Sequence, residues 1–298
     1  FVKFQTAVDC TSKFAPKAEY QKKTTGADES QLEMAKKLRL TLDQHYELYE
    51  YCKKIGISYL STAFDIESVK FLDSLDLPFW KIPSGEITNL PYLIEIGKTE
   101  KPVVMSTGMA ELCEISDAVD ILKDNGTTDI TLLQCHTDYP TEMDNVNLNA
   151  MITLKKKFNT PVGLSDHSIG IEVPIAAVAL GAKVIEKHFT LDRTMIGPDH
   201  LASIEPDELA RMVKAIRNIE KAMGDGEKKC SPIERANIIV ARKSIVAKRD
   251  IKKGELLTEE NITTKRPGNG VSAMKWFDVL GTKAIKDFEE DELICIEP

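Results

Sequence analysis

The sequence predicts an α/β protein built on a parallel (β/α)8 TIM barrel that lacks its first strand here, followed by a small, mainly β domain. Three observations lead there. Short apolar runs alternate with helix-period stretches, almost every run ends in chemically capable polar residues, and the alternation stops after residue 224.

Seven strands are expected: VKFQ at 2–5, ISYLST at 57–62, FWKIP at 79–83, PVVMST at 102–107, ITLLQC at 130–135, PVGLSD at 161–166 and VIEKHF at 184–189. Between them, LDQHYELYEYCKKIG, IESVKFLDSL, LPYLIEIGKT, EISDAVDILKDNG, NLNAMITLKKKF and VPIAAVALGA return apolar residues every three or four positions, the period of an amphipathic helix. Strands alternating with helices make βαβ units and a parallel sheet. An open doubly wound sheet and a closed barrel both satisfy that pattern. The strand ends choose between them: Lys3, Thr62, Lys81, Ser84, Ser106, Ser165, His167 and His188 fall at or just after the ends of different strands. A barrel gathers all those ends around one mouth, whereas an open sheet uses chiefly those at its switch point. Seven strands instead of eight places the first strand and its helix before Phe1.

The helix-period stretch PDELARMVKAIRNIEKAMG completes a catalytic domain at 1–224, a polar connector (DGEKKCSPIERAN) makes a linker at 225–240, and 241–298 form the small domain. Turn signals at KKGE and RPGNG separate its short β-like pieces.

Composition narrows the function. A formal net charge of −8 over 298 residues argues against a general affinity for nucleic acid or an anionic membrane. There is no apolar run long enough to cross a bilayer. The six cysteines are widely spaced without a CxxC pair, which reads as reduced thiols in a cytoplasmic protein. No GxxxxGK or GxGxxG loop follows a strand.

The candidate chemistry sits at the strand ends. His167 and His188 occupy equivalent places in successive units, and imidazole is a common ligand of a catalytic divalent cation. Two histidines leave a shell incomplete, so water, substrate oxygen or a carboxylate such as Asp199 or Glu86 is expected to fill it. Lys3, Lys81, Thr62, Ser84, Ser106 and Ser165 either converge on a phosphate or carboxylate or form a solvated rim. Glu86, in KIPSGE, is either a general acid or base or the partner of a nearby lysine. Arg266, in KRPGNG, displays a guanidinium on a turn of the small domain. Cys135 and His136 are adjacent on one strand and point to opposite faces, so adjacency does not make them a nucleophile pair.

The segments APKAEYQ, ISYLSTAFD, KIPSGEITNLP, STGMA, QCHTDYPTE, GLSDHSIGIE, EKHFTLDR, GPDHLAS, ARKSIVAKRDIKKGE and KRPGNGVS resemble the sialic acid synthase family, which joins phosphoenolpyruvate to N-acetylmannosamine or related sugars. The resemblance runs from VKFQT to the C-terminus; the family's opening AEIG-N-H-G segment is absent, and QCHTDYP replaces a more usual HCT wording. It implies a barrel followed by an antifreeze-protein-like (SAF) domain, and a homodimer that swaps that domain across the partner's mouth. It further implies that His167 and His188 hold Mn2+ or Mg2+, and that Lys3, Thr62, Lys81, Ser84, Ser106 and Ser165 surround phosphoenolpyruvate. Glu86 and Asp199 would handle water, metal and sugar hydroxyls, Tyr139 would line the sugar site, and Arg266 would contact the acylamino group from the other protomer. The enzymatic rival is a Schiff-base pyruvate aldolase using Lys81 or Lys187; the non-enzymatic rival treats the barrel as scaffold and the tail as a binding module.

Overall fold

A computed structural model describes residues 1–26 and 28–297. The chain divides into two compact units, Phe1–Gly224 and Asp225–Pro298. In the first unit the order is β1 (Val2–Thr6), α1 (Glu19–Thr25), α2 (Gln31–Leu38), α3 (Leu42–Ile55), β2 (Tyr59–Ala63), α4 (Ile66–Ser74), β3 (Trp80–Ile82), α5 (Leu90–Gly97) and β4 (Val103–Ser106). It continues with α6 (Leu112–Asp124), β5 (Ile130–Cys135), α7 (Asn149–Phe158), β6 (Val162–Asp166), α8 (Glu172–Ala179), β7 (Ile185–Lys187) and α9 (Pro206–Met223). All seven expected strands form, each within two residues of its expected bounds.

Every strand pairing in this unit is parallel. β1 pairs with β2, Val2 opposite Tyr59 through Thr6 opposite Ala63, and β3 to β7 pair in chain order. The curvature is visible in side-chain contacts across the strands: Lys3 on β1 lies 3.1 Å from Glu186 on β7, and Lys81 on β3 reaches the same carboxylate at 3.3 Å. An open sheet in this order would hold β1 and β7 at opposite edges, so the strands curl into the wall of a TIM-like barrel. Outside the wall, Trp80, Ile82, Leu93, Ile96, Met105, Leu122, Leu132 and Met151 pack as a continuous core between strands and helices. Truncating one such aliphatic side chain to alanine typically costs about 2–5 kcal/mol. Tyr92 on α5 is fully buried and donates its hydroxyl hydrogen to Ala63 O at 2.9 Å, tying that helix to the end of β2.

Close approach of backbones sets one residue of β6. A Cβ on Gly163 would stand 2.3 Å from Val184 O and 2.6 Å from Leu133 Cδ2, so only hydrogen fits between β5 and the entry to β7. Behind β1 and β2 lies a polar network: fully buried His45 bonds Thr6 Oγ1 (3.2 Å) and the Tyr59 hydroxyl (2.9 Å), and Thr6 bonds Ser61 Oγ (2.7 Å). Burial holds the His45 imidazole below its ordinary range, in its neutral form.

Two helices not expected from the pattern, α1 and α2, lie between β1 and α3. The start of α2 is a reciprocal cap, with Ser30 Oγ accepting from Glu33 N (3.2 Å) and Glu33 Oε2 accepting from Ser30 N (2.8 Å). Buried Lys17 binds the segment together, donating to Thr25 Oγ1 and Gly26 O, both at 2.9 Å, and to Glu29 Oε1 at 3.1 Å.

The second unit opens with a helix where the sequence suggested a linker. Residues 225–240 were expected as a connector, yet α10 spans Pro232–Ala241, started by a Ser231–Glu234 capping box with proline in the first turn. β8 (Ser244–Ala247) then pairs antiparallel with β9 (Ile262–Lys265), and α11 (Trp276–Val279) follows. Single bridges, Ile251 to Phe288, Leu256 to Lys283 and Val246 to Leu293, replace longer strands. The unit has its own core of Ile245, Ala247, Ile251, Leu257, Ile262, Val279, Phe288 and Ile294. No helix among the described residues is long and apolar enough to cross a membrane.

Candidate active site

The C-terminal ends of the barrel strands open into a cavity of about 630 Å³. Every candidate residue of the first unit lines it: Lys3, Thr62, Lys81, Ser84, Glu86, Ser106, Tyr139, Ser165, His167, His188 and Asp199. Arg266 belongs to the second unit, where its exposed side chain donates from Nε to Ala241 O at 3.1 Å.

Alternation along short parallel strands explains the convergence. Ser165 and His167 on one strand end, and Glu186 and His188 on the next, are two residues apart and therefore face the same side. Lys81 is almost fully buried and donates to Ser106 Oγ (2.8 Å) and Ile82 O (2.9 Å). Burial pushes its ammonium down, with Glu186 opposing that shift. Burial alone would raise the Glu186 carboxyl; Lys81 and Lys3 outweigh it and hold the group well below the usual carboxylate range. The result is a cationic floor whose two lysines share a single counter-ion. Ser84 Oγ accepts from Gly108 N at 2.9 Å, and a Cβ on Gly108 would sit 2.9 Å from that oxygen, so the STGMA glycine lets the amide approach.

Two polar atoms of cavity-lining residues, Thr62 Oγ1 and Asp199 Oδ1, are buried without a hydrogen-bond partner among the described residues. Native proteins seldom bury such groups unsatisfied, and here both belong to residues that face the cavity. Glu86 accepts from Asn89 Nδ2 at 2.6 Å, and burial raises its carboxyl nonetheless, bringing its proton exchange closer to neutrality.

The imidazoles of His167 and His188 lie with ring centroids 5.2 Å apart. Nδ1 of His167 is 2.6 Å from His136 O; a carbonyl only accepts, so that nitrogen carries the proton and Nε2 keeps its lone pair. His136, whose side chain caps its own turn by accepting from Asp138 N (3.2 Å), thus serves the site through its backbone. Burial lowers His167, and burial together with His167 brings His188 down to about 3, so both rings are neutral, as ligands must be. His188 Nδ1 is 3.7 Å from Asp199 Oδ2, a contact with a neutral ring and no ion pair. Among the described residues no group of three His, Cys, Asp or Glu side chains is arranged to hold an ion, so Asp199 and Glu86 do not complete a ready-made shell. Two neutral imidazoles are donors of the kind that could hold a divalent cation, which would need water or substrate oxygen for its remaining positions.

Tyr139 forms an aromatic wall over the pair, 4.0 Å from the His167 ring and 5.5 Å from His188 by centroids. Tyr20 stacks behind it at 4.9 Å, its hydroxyl pushed up to about 12 by burial and by Asp199. The sequence pattern alone gives no role to Tyr20 or Glu186, and it offers Lys187 only as a Schiff-base lysine, not as the buried partner of Asp166 (2.5 Å). Glu186 had a legible signal, since it stands two positions before His188 on one strand. Cys135 Sγ lies 4.0 Å from His167 Nδ1 and burial raises its thiol, the opposite of an activated nucleophile.

A TIM-like barrel whose mouth gathers two lysines, their shared carboxylate and a pair of histidines has the arrangement of a barrel-enzyme active site. Comparison makes that specific: the NeuB family model matches residues 1–228 and the SAF domain model matches 242–295. This chain belongs to the NeuB family. It is 57% identical to the N,N'-diacetyllegionaminic acid synthase of Campylobacter jejuni, over 99% of this chain and 89% of that one. The human N-acetylneuraminate-9-phosphate synthase is 38% identical over 87% of this chain and 73% of its own length. Among solved structures, the N-acetylneuraminic acid synthetase of Leptospira borgpetersenii, crystallised with citrate, superposes with a TM-score of 0.68 at 33% identity, covering 79% of this chain and 78% of that one.

Proposed function

We propose that this chain condenses phosphoenolpyruvate with an acylamino sugar aldehyde to give a nine-carbon 2-keto acid and phosphate. The observation that carries the reading is the single cavity uniting Lys3 and Lys81 with the neutral His167–His188 pair. Lys3, Lys81, Thr62, Ser84, Ser106 and Ser165 bind the phosphate and carboxylate, Thr62 Oγ1 gaining the partner it lacks. His167 and His188 hold Mn2+ or Mg2+, which when bound supplies Lewis-acid polarisation of the sugar's aldehyde oxygen. Tyr139 walls the sugar side, and Asp199 offers its unpartnered oxygen to a sugar hydroxyl.

Carbon 3 of phosphoenolpyruvate forms the new bond to the aldehyde carbon, and the aldehyde oxygen takes a proton to become a hydroxyl. Water adds at carbon 2, losing a proton to Glu86, whose raised carboxyl suits that exchange. The bond from carbon 2 to the phosphate oxygen then breaks as the new carbon 2 hydroxyl gives its proton to the departing phosphate and becomes the keto group, the phosphate charge being met by the two lysines.

The acceptor proposed is the diacetamido-trideoxy sugar that leads to a legionaminic acid. Likeness to the Campylobacter synthase supports it, and α2 turns Met34, Ala35 and Leu38 to the cavity, apolar surface suited to deoxy and acetyl methyl groups. The protein acts as a cytoplasmic homodimer in which Arg266 reaches the partner's sugar site. Of the two lysines a Schiff-base route could use, Lys187 is paired with Asp166 and does not line the cavity, and Lys81, which does line it, is engaged by Ser106 Oγ, Ile82 O and Glu186.

The test supplies phosphoenolpyruvate with N-acetylmannosamine, the legionaminate precursor or the pseudaminate precursor, and reads phosphate release and product mass. Fastest turnover of the legionaminate precursor is expected, with loss of activity on chelation and recovery on adding Mn2+. No phosphate with any sugar, or a pyruvate adduct trapped by borohydride, would overturn the proposal.

A further inference from the structure

One residue behind each cavity histidine stands a buried charge. Asp166 precedes His167 and Lys187 precedes His188; the two are paired in register across β6 and β7, and their side chains are only 2% and 3% exposed. Neither lines the cavity, because alternation turns them away from the face that Ser165, His167, Glu186 and His188 share. Lys187 Nζ lies 2.5 Å from Asp166 Oδ2 and donates to Ser168 O at 2.6 Å. The other carboxylate oxygen, Asp166 Oδ1, accepts from Ser168 N (2.9 Å) and Ser168 Oγ (2.7 Å). His167 is therefore bracketed on both sides by residues that bond to each other and to the neighbour of His188.

A salt bridge between two isolated strands can be replaced by apolar side chains with little loss, so stability alone is a weak reason to bury one here. Its position supplies another reason. Backbone ladder bonding between β6 and β7 ends in register at Asp166 and Lys187, and both imidazoles lie beyond it. His167 has a side-chain anchor in His136 O, whereas His188 Nδ1 lies beyond hydrogen-bond range of Asp199 at 3.7 Å.

We propose that Asp166, Lys187 and Ser168 are positioning residues that set the separation and direction of His167 and His188 as a cation-binding pair. This rests on reading those histidines as cation ligands. Supporting residues of this kind typically change metal affinity about 10- to 100-fold when altered.

The experiment titrates Mn2+ into the protein, reading the free ion by electron paramagnetic resonance, alongside thermal melts with and without phosphoenolpyruvate. Lys187→Met strands a buried carboxylate and is expected to lower both melting temperature and Mn2+ affinity. In Asp166→Asn/Lys187→Met both charges are gone, so the melting temperature recovers while affinity stays about 10- to 100-fold weak. The phosphoenolpyruvate-induced rise in melting temperature stays as in the parent, since Lys3 and Lys81 are untouched. Ser168→Ala, which removes one hydrogen bond and no charge, is expected to weaken Mn2+ about two- to tenfold and decides the matter should the double variant not fold. Parental Mn2+ affinity in the folded double variant, or in Ser168→Ala, overturns the positioning role and leaves the histidine reading intact. Failure of the unaltered protein to bind Mn2+ overturns the histidine reading itself, and this inference with it.

Discussion

Replacing Glu186 by glutamine tests the cationic floor most directly. The carboxylate lies 3.1 Å from Lys3 Nζ and 3.3 Å from Lys81 Nζ, and no other acid is paired with either lysine among the described residues. At an effective dielectric of 20 each contact represents about 5 kcal/mol of gross attraction, most of it offset by desolvation. Glutamine keeps the shape and leaves the buried Lys81 ammonium and the part-exposed Lys3 ammonium without compensation. Breaking a buried pair from one side costs about 3–5 kcal/mol, which in a unit of this size lowers the melting temperature by roughly 6–20 °C. An anionic ligand should then replace the missing charge. The assay is therefore a thermal melt of Glu186→Gln and the parent, each with and without phosphoenolpyruvate. The variant is expected to melt lower and to gain more from phosphoenolpyruvate than the parent does. A variant that melts like the parent, or that gains less from the ligand, would refute the assignment of Glu186 as the counter-ion of an anion site.

Three further outcomes follow from single residues. Thr62→Val removes a hydroxyl that has no partner among the described residues, so stability should hold or rise while KM for phosphoenolpyruvate increases about 2- to 12-fold, read by steady-state kinetics. His45 is buried neutral with its pKa below the ordinary 6.5, so the stability it contributes is present above pH 6.5 and is lost as pH falls, by at most about 1.4 kcal/mol per pH unit. His45→Gln should flatten that acid limb in denaturant titrations from pH 7.5 to 5. Gly163→Ala drives a Cβ to 2.3 Å from Val184 O, a backbone atom that cannot swing aside, so about 1–3 kcal/mol of destabilisation or more is expected by equilibrium unfolding.

The strands and most helices were legible because each buries one face and so carries its period in the chain. NLNAMITLKKKF and PDELARMVKAIRNIEKAMG became α7 and α9 close to their expected bounds. The helices α1 and α2 escaped because they lie over the cavity mouth and bury almost nothing, with Met34 the one buried residue of α2. Their signal was local, the S-x-x-E cap at Ser30 and Glu33, and the same device at Ser231 and Glu234 turned part of an expected linker into α10. Cap chemistry marks where a helix starts even where amphipathic period is weak.

By itself the sequence determined the order of elements, the strand ends as the place of chemistry and the residue types gathered there, because periodicity and alternation are properties of neighbours in the chain. Only the tertiary structure decided how those residues pair. Lys3 and Glu186 are far apart in sequence and 3.1 Å apart in space because the strands curl, and that curl makes one carboxylate the counter-ion of two lysines. The neutral state of His188, the unpartnered oxygen of Thr62 and the clamp between Asp166 and Lys187 arise in the same way. Each depends on desolvation and distance across strands, quantities that exist only once the barrel has formed.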